Sequence, residues 1–378
     1  MRSVRDIANL EGVRVLVRTS LNVPVQNGKV VHTFRLHAAL PTIEYLQKRH
    51  AKVILVSHIT GTGTETLYPM YEALKASLSR LSFCKVSVGQ EAKTAIDDMV
   101  PGDVVLLENL RRNKGEETND LAFAKELACL ADIFVQDSFD VCHRKHASVV
   151  SLPTLLPSYA GFTVNTEVEE LSKALSPKHP ALAVIGGAKF ATKEPVLKAL
   201  LKKYDHVFVG GALANDFIHA KGIGVGTSLV SREGQESMKL LMKNKRLFVP
   251  VDAIVAPHAA AREQGRSIAL KEIARDEAIL DAGPHTSAAL AELAVRAKTV
   301  LWNGPLGLFE HGFMDATQSL AHAIVSGNAY SIVGGGDTVE ALEQLGMGSE
   351  FSFVSTGGGA MLDFLAYGTL PGLEALGR

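Results

Sequence analysis

Net charge is almost absent from this chain: 39 Lys and Arg stand against 40 Asp and Glu. Nothing global therefore draws it to nucleic acid or an anionic membrane, and any anion site has to come from local clustering. Cysteine is scarce. Cys84, Cys129 and Cys142 are too widely spaced for a disulfide framework or a zinc pattern, so a reducing, cytoplasmic setting is expected. The stretch 1–11 has no apolar h-region, and no signal peptide is expected. No run of about 18 apolar residues exists to form a membrane-spanning helix. Low-complexity tracts and a convincing internal repeat are also missing.

Hydrophobic residues are plentiful, at 47% of 378. That length predicts two domains, because single cores rarely grow past about 250–300 residues. Short apolar, β-branched runs recur at 13–17, 53–56, 104–107 and 133–135, then at 183–185, 207–209, 248–251, 299–302, 332–333 and 351–354. Amphipathic stretches such as 36–49 and 120–131 lie between them. Apolar strands without alternation, separated by helices, predict parallel βαβ units buried on both faces. The fold class expected is α/β: two Rossmann-like domains with doubly wound parallel sheets. The pattern changes around 153–158. A polar helix near 165–175 and the segment Ser176-Pro-Lys-His-Pro180 then read as an interdomain helix and linker.

The strongest chemical signal is Ile332-Val-Gly-Gly-Gly-Asp-Thr338. Glycines let backbone N–H groups approach a phosphate, and a helix starting there directs its positive end at the same anion. Asp337 could hold Mg²⁺ directly or through water. Three more glycine-rich turns follow strands in this half: Ile185-Gly-Gly-Ala-Lys189, Val209-Gly-Gly-Ala212 and Ser355-Thr-Gly-Gly-Gly-Ala360. Together they predict a surface of backbone donors for a polyphosphate. Lys189 and Lys193, four apart, fall on one helix face, where lysine can neutralise a moving phosphoryl group. Glu310 could bind a ribose hydroxyl. The first half instead scatters basic groups at strand ends: Arg18, Arg35, His58, Arg111, Arg112, His143, Arg144 and His146. At the mouth of a parallel sheet these would make a pocket for a small anionic acid. One domain for a nucleotide and one for an acid is the logic of a hinge-bending kinase, whose closure excludes water from the transfer.

In sequence order the chain carries Arg18-Thr-Ser-Leu-Asn-Val-Pro24, Phe34-Arg-Leu-His-Ala-Ala-Leu-Pro-Thr-Ile43, Leu107-Glu-Asn-Leu-Arg111, His143-Arg-Lys-His146, Gly186-Gly-Ala-Lys189, Trp302-Asn-Gly-Pro305, Gly334-Gly-Gly-Asp-Thr338 and Ser355-Thr-Gly-Gly-Gly359. On these motifs it resembles the phosphoglycerate kinase family over almost its whole length. The resemblance implies an N-terminal 3-phosphoglycerate-binding domain over 1–162, an interdomain helix over 163–176, a nucleotide-binding domain over 177–356 and a segment 357–378 returning toward the first domain. It implies a monomeric, cytoplasmic enzyme of glycolysis, with no nucleic-acid or membrane partner. The reaction implied is reversible phosphoryl transfer from 1,3-bisphosphoglycerate to MgADP, giving 3-phosphoglycerate and MgATP. Arg35, Lys189 and Gly336 would be catalytic. Ser20, Asn22, Arg35, His58, Arg111 and Arg144 would bind the acid. Lys193, Asn303, Glu310, Gly335, Gly336, Asp337 and Thr338 would bind nucleotide, with Asp337 on the metal. Positioning and charge neutralisation do the work in such chemistry. The alternatives are a kinase for another small acyl phosphate and a nucleotide-binding relative without turnover.

The sequence departs from the family pattern in four places. Ser20 stands for an Asp, and Gly61 in His58-Ile-Thr-Gly-Thr62 replaces an arginine ligand. Gln136-Asp-Ser-Phe-Asp-Val-Cys-His143 differs from Asn-Asp-Ala-Phe-Gly-Thr-Ala-His. Phe190-Ala-Thr-Lys193 differs from Val-Ser-Asp-Lys, Thr192 being a helix N-cap type. Ser20 and Gly61 remove one charge of each sign and are expected to form a matched pair. Arg112 or Lys145 is a candidate replacement charge.

Overall fold

In a computed structural model, which describes residues 1–231, 233–257 and 262–377, the chain divides into two compact units. Unit 1 comprises Met1–Glu169 with Thr369–Arg378, and unit 2 comprises Glu170–Gly368. The last residues join unit 1 through the helix Pro371–Leu376, where the Gly372 N–H donates to the Cys142 carbonyl at 2.8 Å. The crossing back comes after the helix Gly359–Tyr367, which packs on Phe190–Lys203 within unit 2. Among the described residues, no helix is long and apolar enough to cross a membrane.

Unit 1 is built on the parallel strands β1 (Arg14–Arg18), β4 (Lys52–Val56), β5 (Leu81–Cys84), β6 (Val104–Leu107), β7 (Ile133–Gln136) and β8 (Ser158–Ala160), with a small hairpin of β2 (Val25–Gln26) and β3 (Lys29–Val30). Their order is β5-β6-β4-β1-β7-β8. Unit 2 has β9 (Ala181–Ile185), β10 (His206–Val209), β11 (Leu247–Phe248), β15 (Thr299–Asn303), β16 (Tyr330–Gly334) and β17 (Phe353–Ser355), ordered β11-β10-β9-β15-β16-β17. Every pairing in both sheets is parallel. The expected α/β class with two parallel sheets is what forms. In each sheet the first strand has neighbours added on both sides, so a switch point opens beside β1 and beside β9, where such sheets bind ligands. Strands such as Val104-Val-Leu-Leu107 and Ala181-Leu-Ala-Val-Ile185 are buried along their whole length, which is why they show no alternation.

The structure differs from the sequence reading in several places. The edge strands β5 and β8 of unit 1 and the β2–β3 hairpin were not expected; β5 is only half-buried and β8 is three residues long, so neither is written as an apolar run. An antiparallel sheet, β12 (Asp252–Pro257) between β13 (Arg266–Ala269) and β14 (Glu277–Ala282), was not expected. It is tied by a bidentate contact of Arg266 with Glu277 at 2.9 and 2.8 Å, a pairing that no local pattern announces. The expected strand 248–251 shrinks to Leu247–Phe248, because the chain then feeds this second sheet. The polar helix begins at Phe162, three residues early. Remote side chains cap it: the Phe162 N–H donates to Thr42 Oγ1 and the Thr163 N–H to Asp137 Oδ1, both at 2.9 Å. Asp137 is fully buried, and burial raises its pKa to about 7 despite hydrogen bonds from the Thr42 side chain and from Thr163.

Candidate active site

In unit 2 the carboxyl ends of β9 and β15 meet backbone to backbone. Gly304 has φ +98°, and a Cβ on it would lie 2.3 Å from the Gly186 carbonyl carbon. A Cβ on Gly186 would lie 2.4 Å from the Pro305 oxygen. Only glycine at both positions allows this approach. The junction is braced from several sides. The Gly186 N–H donates to the Asn303 carbonyl at 2.7 Å. The Trp302 indole donates to the Gly304 carbonyl at 2.8 Å. Thr338 is fully buried, and its hydroxyl accepts the Gly304 N–H at 2.7 Å. Thr338, expected at the nucleotide, therefore uses its oxygen to position Gly304.

Beside this junction lies a cleft of about 390 Å³ whose walls include Gly187, Gly211, Leu280, Leu308, Glu310 and Asp337. Glu310 is exposed on the short helix Phe309–His311. Gly335 caps the helix Gly336–Gln344, with Asp337 exposed in the first turn. Lys193 Nζ donates to Asn303 Oδ1 at 3.3 Å. Burial lowers its pKa to about 8, and Asp337 opposes that shift. Lys189 caps the helix Phe190–Lys203 in the left-handed region at φ +63° and is exposed. A non-glycine residue held there is strained, as residues at functional sites often are. Because the helix starts at Phe190, Thr192 is not its N-cap; its hydroxyl turns back to the Lys189 carbonyl at 2.9 Å. Among the described residues no group of three or more His, Cys, Asp or Glu could hold a metal ion. A single carboxylate such as Asp337 fits Mg²⁺ carried mainly by substrate phosphates.

In unit 1 the site is made of side chains. Arg18, at the end of β1, is fully buried. It donates to Ser148 Oγ at 3.1 Å, the Thr19 carbonyl at 2.8 Å and His58 Nδ1 at 2.9 Å. Ser148 in turn donates to Glu116, from its hydroxyl at 2.6 Å and its N–H at 3.0 Å. Glu116 and then Asp140 offset the burial that weighs against the Arg18 charge. Since guanidinium only donates, His58 Nδ1 accepts, and its proton sits on Nε2. Burial, then Arg18, hold the His58 pKa well below its ordinary value. His58 is thus a neutral N–H donor.

The post-strand loop joins the other expected residues. Arg35, at the start of the helix Phe34–Lys48, donates to the Asn22 carbonyl at 2.9 Å. Asn22 and Thr60 are reciprocally bonded at 3.0 and 3.1 Å, and Arg111 Nη1 donates to Thr60 Oγ1 at 3.2 Å. The structure therefore brings Asn22, Arg35 and Arg111 together through Thr60. Arg144 is exposed and influences this cluster only through its charge, lowering the His146 pKa behind burial, Arg111 and Arg18. Ser20 is buried, with its hydroxyl unpartnered. Arg112 is committed elsewhere: it donates to the Thr64 and Glu65 carbonyls at 2.8 and 3.1 Å and pairs with Glu108 at 3.1 Å. It braces the loop and is not a spare charge. Lys145 is exposed.

Sequence reasoning passed over Thr60, Ser148 and Glu116. Lys114-Gly-Glu-Glu117 looks like a solvated helix, and nothing local shows that Glu116 is fully buried behind Arg18.

Comparison with known proteins converges. A family model described as phosphoglycerate kinase matches residues 4–367. The chain is 41% identical to a phosphoglycerate kinase of Maricaulis maris, over 100% of this chain and 97% of that one. It is likewise 41% identical to the enzyme so named from Zymomonas mobilis, over 99% of each. Among solved structures, phosphoglycerate kinase from Pyrococcus horikoshii aligns with a TM-score of 0.90 at 29% identity, covering 100% of this chain and 98% of that one. The Coxiella burnetii enzyme aligns at 0.84 with 37% identity, covering 99% and 98%.

Proposed function

The chain belongs to the phosphoglycerate kinase family and is a phosphotransferase, and from that premise we propose a division of labour between its units. Unit 2 holds MgADP or MgATP, and unit 1 holds 3-phosphoglycerate or its acyl phosphate. In the forward direction the bond from phosphorus to the carboxylate oxygen breaks, and one from phosphorus to a β-phosphate oxygen of ADP forms. The carboxylate leaves without needing a proton, so no protein base or nucleophile is required.

The observation that carries this reading is the glycine junction of β9 and β15, with Glu310 and Asp337 lining the cleft beside it and Lys193 held on Asn303 at the end of β15. Backbone donors at 335–336, where a helix starts, suit the phosphates, Glu310 suits a ribose hydroxyl, and Asp337 would hold Mg²⁺. The ion would neutralise phosphate charge. Lys189, exposed at its helix start, supplies mobile positive charge to the phosphoryl group. In unit 1, Arg35 stabilises the same group, while Asn22, Arg111, Arg144 and the neutral Nε2–H of His58 orient the acid. Ser20 contributes a hydroxyl rather than a charge. The near-zero net charge supports a reaction confined to small-molecule partners.

The test is MgATP consumption against 3-phosphoglycerate concentration, coupled to reduction of the acyl phosphate product. Turnover saturating in both substrates is expected. Tight MgATP binding without turnover on 3-phosphoglycerate would overturn the assignment of the acid.

A further inference from the structure

The loop that follows β4 contains a group of anion donors that the cluster around Thr60 does not use. The Thr62 N–H, the Gly63 N–H and the Thr62 hydroxyl all converge on one carboxylate, that of Glu65, at 2.6, 2.8 and 3.0 Å. Successive backbone N–H groups around a left-handed residue form a concave anion nest, and Gly63 supplies that residue at φ +92°. The Thr62 N–H first, then the N–H of Glu65 itself and the other two donors, lower the pKa of this carboxylate to about 2.

Two features argue that this is more than a local cap. Thr62-x-x-Glu65 has the form of a helix capping box, yet no helix starts there; the next one begins at Tyr68. The Glu65 carboxylate also fills side-chain space over Gly61, where a Cβ would lie 2.0 Å from Oε1. Any side chain at 61 would expel it. The nest begins two residues beyond Thr60, whose hydroxyl is shared by Asn22 and Arg111. Arg112 clamps the carbonyls of residues 64 and 65 from outside, so the backbone of the nest stays fixed if the Glu65 side chain leaves.

We propose that the Thr62 N–H, Gly63 N–H and Thr62 hydroxyl form an oxyanion subsite of the acid site in unit 1, and that Glu65 occupies it until a substrate oxyanion, phosphate or carboxylate, displaces it. This rests on the assignment of the acid site above. Glu65 then acts as an internal competitor. Apparent affinity for the acid is reduced by the fraction of molecules in which the nest is taken, and the nest supplies neutral donors where an arginine would supply charge.

The proposal makes a directional forecast that a purely structural turn does not. Glu65→Gln weakens the internal contact, so KM for 3-phosphoglycerate falls by about three- to tenfold, with KM for MgATP unchanged. Thr62→Val removes one donor and raises KM for the acid by a few-fold. In the double variant the gain from Glu65→Gln shrinks, because the emptied nest is itself impaired. A KM for the acid that is unchanged or raised in Glu65→Gln, with wild-type thermal stability, overturns the proposal. A separate probe distinguishes failure here from failure of the substrate assignment. Inorganic phosphate titrated calorimetrically should bind the Glu65→Gln protein several-fold more tightly than the wild type. That gain without turnover on 3-phosphoglycerate would keep the nest and reject the assigned acid; no gain in phosphate affinity would reject the nest.

Discussion

On the proposed assignment the two units would meet anions by different means. Unit 2 would bring backbone to the ligand: Gly186 and Gly304 touch, Gly335 opens a helix, and Lys193 is half-hidden beside them. Unit 1 would bring side chains: Arg35, Arg111 and Asn22 are knotted through Thr60, with the buried Arg18 behind His58. A backbone site depends on the absence of Cβ atoms and tolerates no substitution at the contact. A side-chain site depends on pairings that can be exchanged for others. That difference matches most of the departures from the family pattern. Ser20, Gly61 and Asp140 lie in unit 1, while in unit 2 the Gly-Gly-Ala-Lys and Gly-Gly-Gly-Asp-Thr runs are intact and the departure falls on the helical turn Phe190-Ala-Thr-Lys193.

The comparison can be broken most forcefully at Gly304. Gly304→Ala places a methyl 2.3 Å from the Gly186 backbone, and such overpacking costs about 1–3 kcal/mol. MgADP affinity measured by calorimetry should fall about ten- to hundredfold, while 3-phosphoglycerate affinity is preserved. Equal losses in both would show that the units do not divide the work.

Lys193 is the place where unit 2 does rely on a side chain, and pH exposes it. Its pKa is lowered to about 8, so the ammonium is intact below that pH and is lost above it. KM for the nucleotide should therefore rise by about tenfold between about pH 7 and 9. Lys193→Arg, whose charge persists, should flatten that rise. A wild-type KM constant over the same range would remove Lys193 from nucleotide binding.

The smallest effect is an absence. His58 belongs to the charged unit yet acts uncharged, because Arg18 occupies Nδ1 and burial opposes protonation. The groups acting on it, Arg18, Arg111, His146 and Arg35, all push its pKa down. An NMR titration of the His58 ring, assigned with a His58→Gln variant, should show a midpoint well below that of an ordinary histidine. A midpoint near the ordinary histidine value would mean that the Arg18 contact does not fix the tautomer.

The parallel sheets were legible because strands buried on both faces are written as continuous apolar runs, as in 104–107 and 181–185. The antiparallel sheet was not, because β12, β13 and β14 are held by cross-strand pairs such as Arg266 with Glu277 that only the fold brings together. The same divide runs through the site. Glycine's conformational demand is visible in the sequence, so the turns at 186, 210 and 334 stood out. The roles of Thr60, Glu116 and Glu65 depend on residues 32 to 51 positions away or on a turn that mimics a helix cap, and nothing in their own neighbourhoods marks them. Arg112 looked like a spare cation for the same reason, since its partners at 64 and 65 lie in another loop.

The most direct test of the account is the Arg35→Ala variant, assayed for turnover and for binding of each substrate separately. If unit 1 works by side-chain charge aimed at the transferring phosphoryl group, kcat should fall by about a thousandfold, the scale of an arginine that stabilises such a transfer. MgADP affinity should be unchanged, and 3-phosphoglycerate affinity should fall far less than kcat. A kcat within about tenfold of the wild type would contradict the account, because transfer would then not depend on the arginine that the structure places beside Asn22.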